Sequence, residues 1–173
     1  MTSVVLFRAA NVGGHQTFKP SELVKALAPL DVVSVGAAGT FVVKCKATQA
    51  QIRREFARHL PFDPEILIFT GAEVLGLVKS APYGQLPAGA KPFVTALSKK
   101  PTAAPKLPIE VPEDSPWQVR VVAIDGRFAA SVRRNAGKRP VYPNEVVERR
   151  LGISATTRAL STFEALAKIL GSQ

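Results

Sequence analysis

The chain has 173 residues, of which 46% are apolar, and it carries a formal net charge of +10. This length and composition exclude a wholly disordered chain and fit one ordinary domain or two small ones that share a core. No stretch approaches the length of an apolar membrane span, and residues 1–7 lack the basic flank and cleavage site of a signal peptide. We therefore expect a cytoplasmic protein without a membrane segment.

Cysteine and histidine are too few for a disulfide or a structural zinc site. The chain has one cysteine, Cys45, and two histidines, His15 and His59. A disulfide needs two thiols, and a structural zinc site needs four ligands at a characteristic spacing. The sequence therefore predicts no metal and no cofactor.

The first half of the chain predicts a small α+β subdomain. Apolar and β-branched runs indicate strands, whereas leucines at helical spacing and capping-box pairs indicate helices. The predicted elements are a strand at 4–7, a helix from Pro20, strands at 32–35 and 41–45, a helix after Thr48, a strand at 65–69 and a short helix after Thr70. This order is that of the ferredoxin-like unit, which we predict for residues 1–80.

The second half predicts a related but degenerate subdomain over residues 91–173. Its predicted elements are a strand at 91–99, a proline-rich crossover at 100–116, a hairpin of 117–124 and 127–133 around Asp125-Gly126, and helices at 143–151 and 157–170. Five prolines in the crossover break every window that a helix would need. We therefore predict an α+β protein of two ferredoxin-like subdomains, with helices packed on mainly antiparallel sheets.

Three motifs, in order along the chain, resemble those of one known family. They read FRAANVGGH at 7–15, AGTFVV at 38–43, and a Tyr-Pro-Asn turn at 142–144 followed by ATTRALST at 155–162. The chain is similar here to the domain-of-unknown-function 1697 family, whose usual forms are LRGINVGGH, SGNVVF and ATTRNWNT. The resemblance implies a bacterial protein of two ferredoxin-like subdomains, without an established activity or cofactor. The chain departs from the family pattern at Ala9, Ala38, Thr40, Ala159 and Leu160.

The segment RAANVGGH at residues 8–15 admits two interpretations. Gly13 and Gly14 permit positive φ, so their amides, together with Arg8, Asn11 and His15, would suit an anion. A strand must also turn sharply before a helix packs back on its sheet, which explains both glycines without a ligand. The pattern matches neither the dinucleotide fingerprint nor the phosphate loop. Both interpretations stay open, and His15 is a weak candidate for acid-base chemistry.

Two further segments predict contacts with anions. Thr157 and Arg158 are expected at the start of the last helix, where free amides, a hydroxyl and a guanidinium suit an anion, although ordinary capping is an alternative. The run RRNAGKR places four basic residues at the end of the hairpin, where they would contact phosphates or lie in a solvated loop. These four residues are Arg133, Arg134, Lys138 and Arg139. Because no aromatic residue lies inside this run, base-specific readout is not indicated.

Three functions fit these observations. The first is non-enzymatic binding of an anionic partner, either nucleic acid or a phosphate-bearing metabolite. The second is a small enzyme that acts on a phosphorylated substrate with His15 as its acid-base group. The third is a structural or oligomeric protein. Since no nucleophile motif is present, the sequence leaves enzymatic activity and oligomeric state open.

Overall fold

The computed structural model describes residues 2–11, 13–114, 116–137 and 139–172 of the chain. The chain forms two units, one of residues 1–79 with 164–173 and one of residues 80–163. Across the described residues the fold is α+β, as predicted, with a four-stranded sheet, a five-stranded sheet and helices packed on them. The ferredoxin-like type of the two subdomains stays a prediction, as do their boundaries at 1–80 and 91–173.

The first sheet is built around a central apolar strand. The strands and helices in this half of the chain are β1 (Ser3–Arg8), α1 (Pro20–Ala26), β2 (Val32–Ser34), β3 (Thr40–Val43), α2 (Gln49–Arg58), β4 (Glu65–Thr70) and α3 (Gly71–Ser80). The strands lie in the order β2-β3-β1-β4, and every neighbouring pair is antiparallel. The run from Val4 to Phe7 is fully buried, as expected for a strand with neighbours on both sides.

Three phenylalanines form the centre of the first unit's core. The Phe7 ring centroid lies 5.3 Å from that of Phe41 and 5.6 Å from that of Phe56, in tilted and edge-on arrangements. The predicted capping box of α2 is confirmed, because Thr48 Oγ1 accepts from the Gln51 amide while Gln51 Oε1 accepts from the Thr48 amide. This box fixes the point at which α2 begins and lets Phe56 reach the other two rings.

The second sheet repeats the strand order of the first with one added edge strand. Its elements are β5 (Lys91–Leu97), β6 (Ile109–Val111), β7 (Val119–Asp125), β8 (Phe128–Arg133), α4 (Pro143–Leu151), β9 (Ala155–Ala159) and α5 (Leu160–Gly171). The order is β6-β7-β8-β5-β9, with every neighbouring pair antiparallel. The predicted hairpin is confirmed, since Asp125 pairs with Phe128 across a tight turn.

The predicted start of the last helix at Thr157 is wrong. Residues Ala155–Ala159 form β9 instead, and α5 begins at Leu160. Thr157 pairs with Thr95 in the neighbouring strand β5. The two consecutive threonines suit a pleated strand, and pairing with a distant segment outweighs their capping tendency. Thr157 and Arg158 therefore precede α5 and do not form its first turn.

The proline-rich crossover predicted at residues 100–116 contains a short strand that the prediction did not include. Ile109–Val111 forms β6, which pairs with β7 at the edge of the second sheet. Prolines 108 and 112 flank this strand. An edge strand tolerates proline at its ends, because one of its sides needs no ladder hydrogen bond.

Two features are absent from the part of the chain that the structure describes. None of its helices combines the length and the apolar character needed to cross a membrane. None of its residues form a group of three or more histidine, cysteine or carboxylate side chains able to hold a metal ion.

Candidate functional site

The loop after β1 is held in place by the side chain of Asn11. Its Nδ2 donates to the Ala37 carbonyl at 2.7 Å and to the Phe18 carbonyl at 3.3 Å, and its Oδ1 accepts from the Phe18 amide at 2.9 Å. The backbone of Asn11 has a φ of +55°, which asparagine tolerates better than most residues. The amide group is therefore used to fasten the loop to the β2–β3 turn.

The remaining loop residues proposed for ligand binding lie at the surface. Gly13 and Gly14 are exposed, have φ values of +58° and +78°, and have no atom within 4 Å of an added Cβ. Arg8 forms an ion pair with Glu65 at 2.9 Å. His15 is exposed, and no described residue hydrogen-bonds to its side chain or pairs with it. These positive-φ glycines fit a surface turn, and ligand binding at this loop stays a prediction.

Thr157 and Arg158 are engaged within the second sheet. The Thr157 hydroxyl lies 2.7 Å from the hydroxyl of the fully buried Thr95. Arg158 Nη1 donates to Thr156 Oγ1 at 2.8 Å and to the Thr157 carbonyl at 2.9 Å. Burial lowers the pKa of Arg158 to about 10, so its guanidinium stays charged at neutral pH. These two acceptors belong to β9, the strand that carries Arg158 itself.

A group of positive charges lies where β5 begins and β8 ends. Lys91 and Arg133 are direct cross-strand partners, so their side chains project from the same face of the sheet. Within the described residues, no carboxylate lies in ion-pair distance of either charge. Arg133 Nε donates to the Val141 carbonyl at 2.8 Å, and its guanidinium lies 4.9 Å from the ring centroid of the exposed Tyr142. We call Lys91, Arg133, Arg134 and Tyr142 the basic surface.

The indole of Trp117 contacts two guanidinium groups. Arg134 lies 4.0 Å and Arg120 lies 4.3 Å from the centroid of the ring, which is 7% exposed. Arg134 Nε also donates to the Trp117 carbonyl at 2.7 Å. Arg120 is neutralised by Glu110 at 2.7 Å, whereas no described carboxylate pairs with Arg134. The ring and the carbonyl thus orient Arg134 while leaving its charge uncompensated.

The other two basic residues of the RRNAGKR run do not join this surface in the same way. Lys138 lies outside the described residues. Arg139 borders an open cleft of about 910 Å³ whose charged lining residues balance one another. Those residues are Glu113, Asp114, Arg139, Glu145, Arg149 and Arg150. A cleft of mixed sign attracts a polyanion less than Lys91, Arg133 and Arg134 do.

The aromatic partners of the arginines are the candidate residues that the sequence did not indicate. No aromatic residue lies within residues 133–139, but the fold brings Trp117 to Arg134 and Tyr142 to Arg133. The hairpin register contained a signal for the first pair, because strands that meet at Asp125-Gly126 place Trp117 near Arg134. Tyr142 follows an irregular segment, so its position over Arg133 depends on tertiary structure.

Comparison with known proteins places the chain in a family. A family model described as a protein of unknown function, DUF1697, matches residues 1–125. The chain belongs to this family. In fold, this DUF1697 member is similar to the conserved bacterial protein SP0830 from Streptococcus pneumoniae, with 16% sequence identity, a TM-score of 0.55 and coverage of 98% of each chain. No curated protein matches the sequence.

The matched range divides the candidate residues of this DUF1697 member into two groups. The loop of residues 8–15 lies inside it, together with Lys91 and Trp117. Arg133, Arg134 and Tyr142 of the basic surface lie beyond it. Because the family is one of unknown function, membership brings no activity with it, and a function has to be argued from the residues themselves.

Proposed function

We propose that the second unit binds a phosphate-bearing anionic partner, nucleic acid or metabolite, on the basic surface. The observation that carries this proposal is the cross-strand pairing of Lys91 with Arg133 without a carboxylate in ion-pair distance among the described residues. Like charges directly opposite each other on a sheet destabilise the pairing. An anion that contacts both side chains relieves this repulsion and gains charge-assisted hydrogen bonds.

The guanidinium groups are oriented before any partner arrives. Arg133 and Arg134 each use Nε for a backbone carbonyl and each lie over an aromatic ring. Their described hydrogen bonds leave the terminal Nη groups available, and these groups match the oxygens of a phosphate in geometry. Binding therefore immobilises little further side-chain freedom, which favours affinity.

The two alternative functions receive less support from the residues. The exposed His15 lacks a described carboxylate that would orient it for acid-base work. A purely structural protein does not need two like charges opposite each other on adjacent strands, a pairing that destabilises the sheet. Anion binding gives the unpaired charges of Lys91 and Arg133 a role, so it is the function that the geometry supports best.

Two double variants with the same loss of charge test this proposal. Arg133→Gln with Arg134→Gln removes the basic surface, whereas Arg54→Gln with Arg58→Gln removes two exposed arginines of α2 that share Glu55. The probes are a fluorescent single-stranded oligonucleotide of about 20 nucleotides, its duplex, inorganic triphosphate and ATP. Anisotropy and the fluorescence of Trp117, the single tryptophan, report binding.

We expect at least one probe to bind, with an affinity that falls as salt rises. The R133Q/R134Q variant should lose roughly tenfold or more in affinity, and the R54Q/R58Q variant roughly twofold or less. Matching unfolding midpoints establish that both variants are folded. Failure of every probe at low salt, or equal losses in the two variants, would overturn the proposal.

A further inference from the structure

We infer that the partner of the basic surface is single-stranded nucleic acid, and that Tyr142 is the residue on which one of its bases stacks. This inference rests on the proposed function and specifies its ligand class. It combines two features of the molecule, the exposed ring of Tyr142 and the division of Arg133 and Arg134 between two faces of one strand.

Tyr142 presents an aromatic ring to solvent in a fixed place. The residue is 46% exposed, whereas tyrosine is a residue type of intermediate burial. The residue occupies the N-cap position of α4 with extended backbone, and the buried Pro143 follows it as the first helical residue. The Arg133 guanidinium covers one face of the ring at 4.9 Å. A base that stacks on this ring would therefore take the face opposite the guanidinium.

The arrangement of the two arginines favours a polymer over a small metabolite. The ladder between β7 and β8 continues one residue past β8, because the Arg134 amide donates to the Gln118 carbonyl at 2.8 Å. Consecutive residues of extended backbone project to opposite faces. Arg133 accordingly lies with Lys91 and Tyr142, and Arg134 lies with Trp117. One phosphate cannot contact both groups, whereas a strand that crosses the end of the sheet can place successive phosphates on them.

The exposed position of the ring also favours a single strand over a duplex. The exposed ring first argues against a small molecule, because small-molecule sites bury most of their ligand in a concavity and Tyr142 lies on the surface. It also argues against a duplex. In a duplex the base faces are already stacked on one another and cannot meet a protein ring. An unpaired base meets the ring without breaking base pairs, and stacking of this kind tolerates any base. Binding should therefore show little sequence preference.

The test compares an oligothymidylate with an abasic strand of the same length, which keeps the phosphates and lacks the bases. Binding is measured for the wild type, Tyr142→Phe and Tyr142→Leu. The phenylalanine variant keeps the ring over Arg133, and the leucine variant removes it. The R133Q/R134Q variant is included because it reports on the phosphate contacts alone.

We expect the wild type and Y142F to bind oligothymidylate more tightly than the abasic strand, and Y142L to bind oligothymidylate roughly tenfold more weakly than the wild type. Binding of the abasic strand should be the same in all three proteins. Equal losses of Y142L on both strands would mean that Tyr142 only positions Arg133, and no loss on either strand would mean that no base stacks there. Both results overturn this inference while the proposed function stands. If R133Q/R134Q binds both strands like the wild type, the proposed function itself fails.

Discussion

Gly39 lies directly against the side chain of Phe7. A Cβ added to Gly39 would stand 2.6 Å from the Phe7 Cβ, and the Phe7 amide donates to the Gly39 carbonyl at 2.7 Å. The backbone of Gly39 has a φ of +73°. The β2–β3 turn therefore requires glycine at this position for two reasons, the left-handed backbone and the close approach to the core.

Gly39→Ala should destabilise the protein far more than Gly36→Ala. Gly36 also has a positive φ, of +68°, but no atom lies within 4 Å of its added Cβ. G36A should lower the free energy of unfolding only through the strain of left-handed backbone, by about 1 kcal/mol. G39A should also displace Phe7 from its ring cluster, so its total loss should be about 3 kcal/mol or more. Urea denaturation followed by circular dichroism gives both values. Equal losses would show that the turn moves away from Phe7 without cost.

Asn11→Gly should lower the free energy of unfolding by about 1–3 kcal/mol, because it removes three hydrogen bonds of a half-buried amide. Glycine accepts the φ of +55° at this position, so the loss isolates the side chain. Asn11→Ala should be less stable still, since alanine adds left-handed strain. Thermal and urea denaturation of both variants check the order.

The Asn11 variants also separate the two interpretations of the loop at residues 8–15. If Asn11 only fastens the loop, N11G binds oligonucleotide within roughly twofold of the wild type once both are measured below their unfolding transitions. A selective loss of ligand binding in a folded N11G protein would instead support a site at this loop.

Removing either hydroxyl of the Thr95–Thr157 pair should lower the free energy of unfolding, but by unequal amounts. Thr157→Val leaves the Thr95 hydroxyl fully buried without its partner, which costs about 1–3 kcal/mol. Thr95→Val should cost less, because the half-buried Thr157 can turn to water. The double variant should lose less than the sum of the single losses, with a coupling of about 1 kcal/mol. Additive losses would contradict the hydrogen bond.

The sequence by itself determined the elements whose signals are local. Capping boxes at Thr48 and Thr70 predicted α2 and α3, and the Asp125-Gly126 dipeptide predicted the β7–β8 hairpin. These features depend on residues within four positions of one another, so their physics is present in any short window of the chain. The motif resemblance likewise identified the family that the comparison confirmed.

Only the tertiary structure decided where short edge strands form and which side chains meet. β6 and β9 have three and five residues. β9 pairs with β5, where Thr157 lies opposite Thr95, 62 residues earlier, while β6 pairs with the nearer strand β7. Asn11 finds a carbonyl 26 residues away at Ala37. The basic surface likewise exists because the register of β5, β7 and β8 places Lys91 opposite Arg133. Forming such a contact costs the chain the entropy of closing the loop between the two partners. The partners lie far apart in sequence, so a short window of sequence does not contain both.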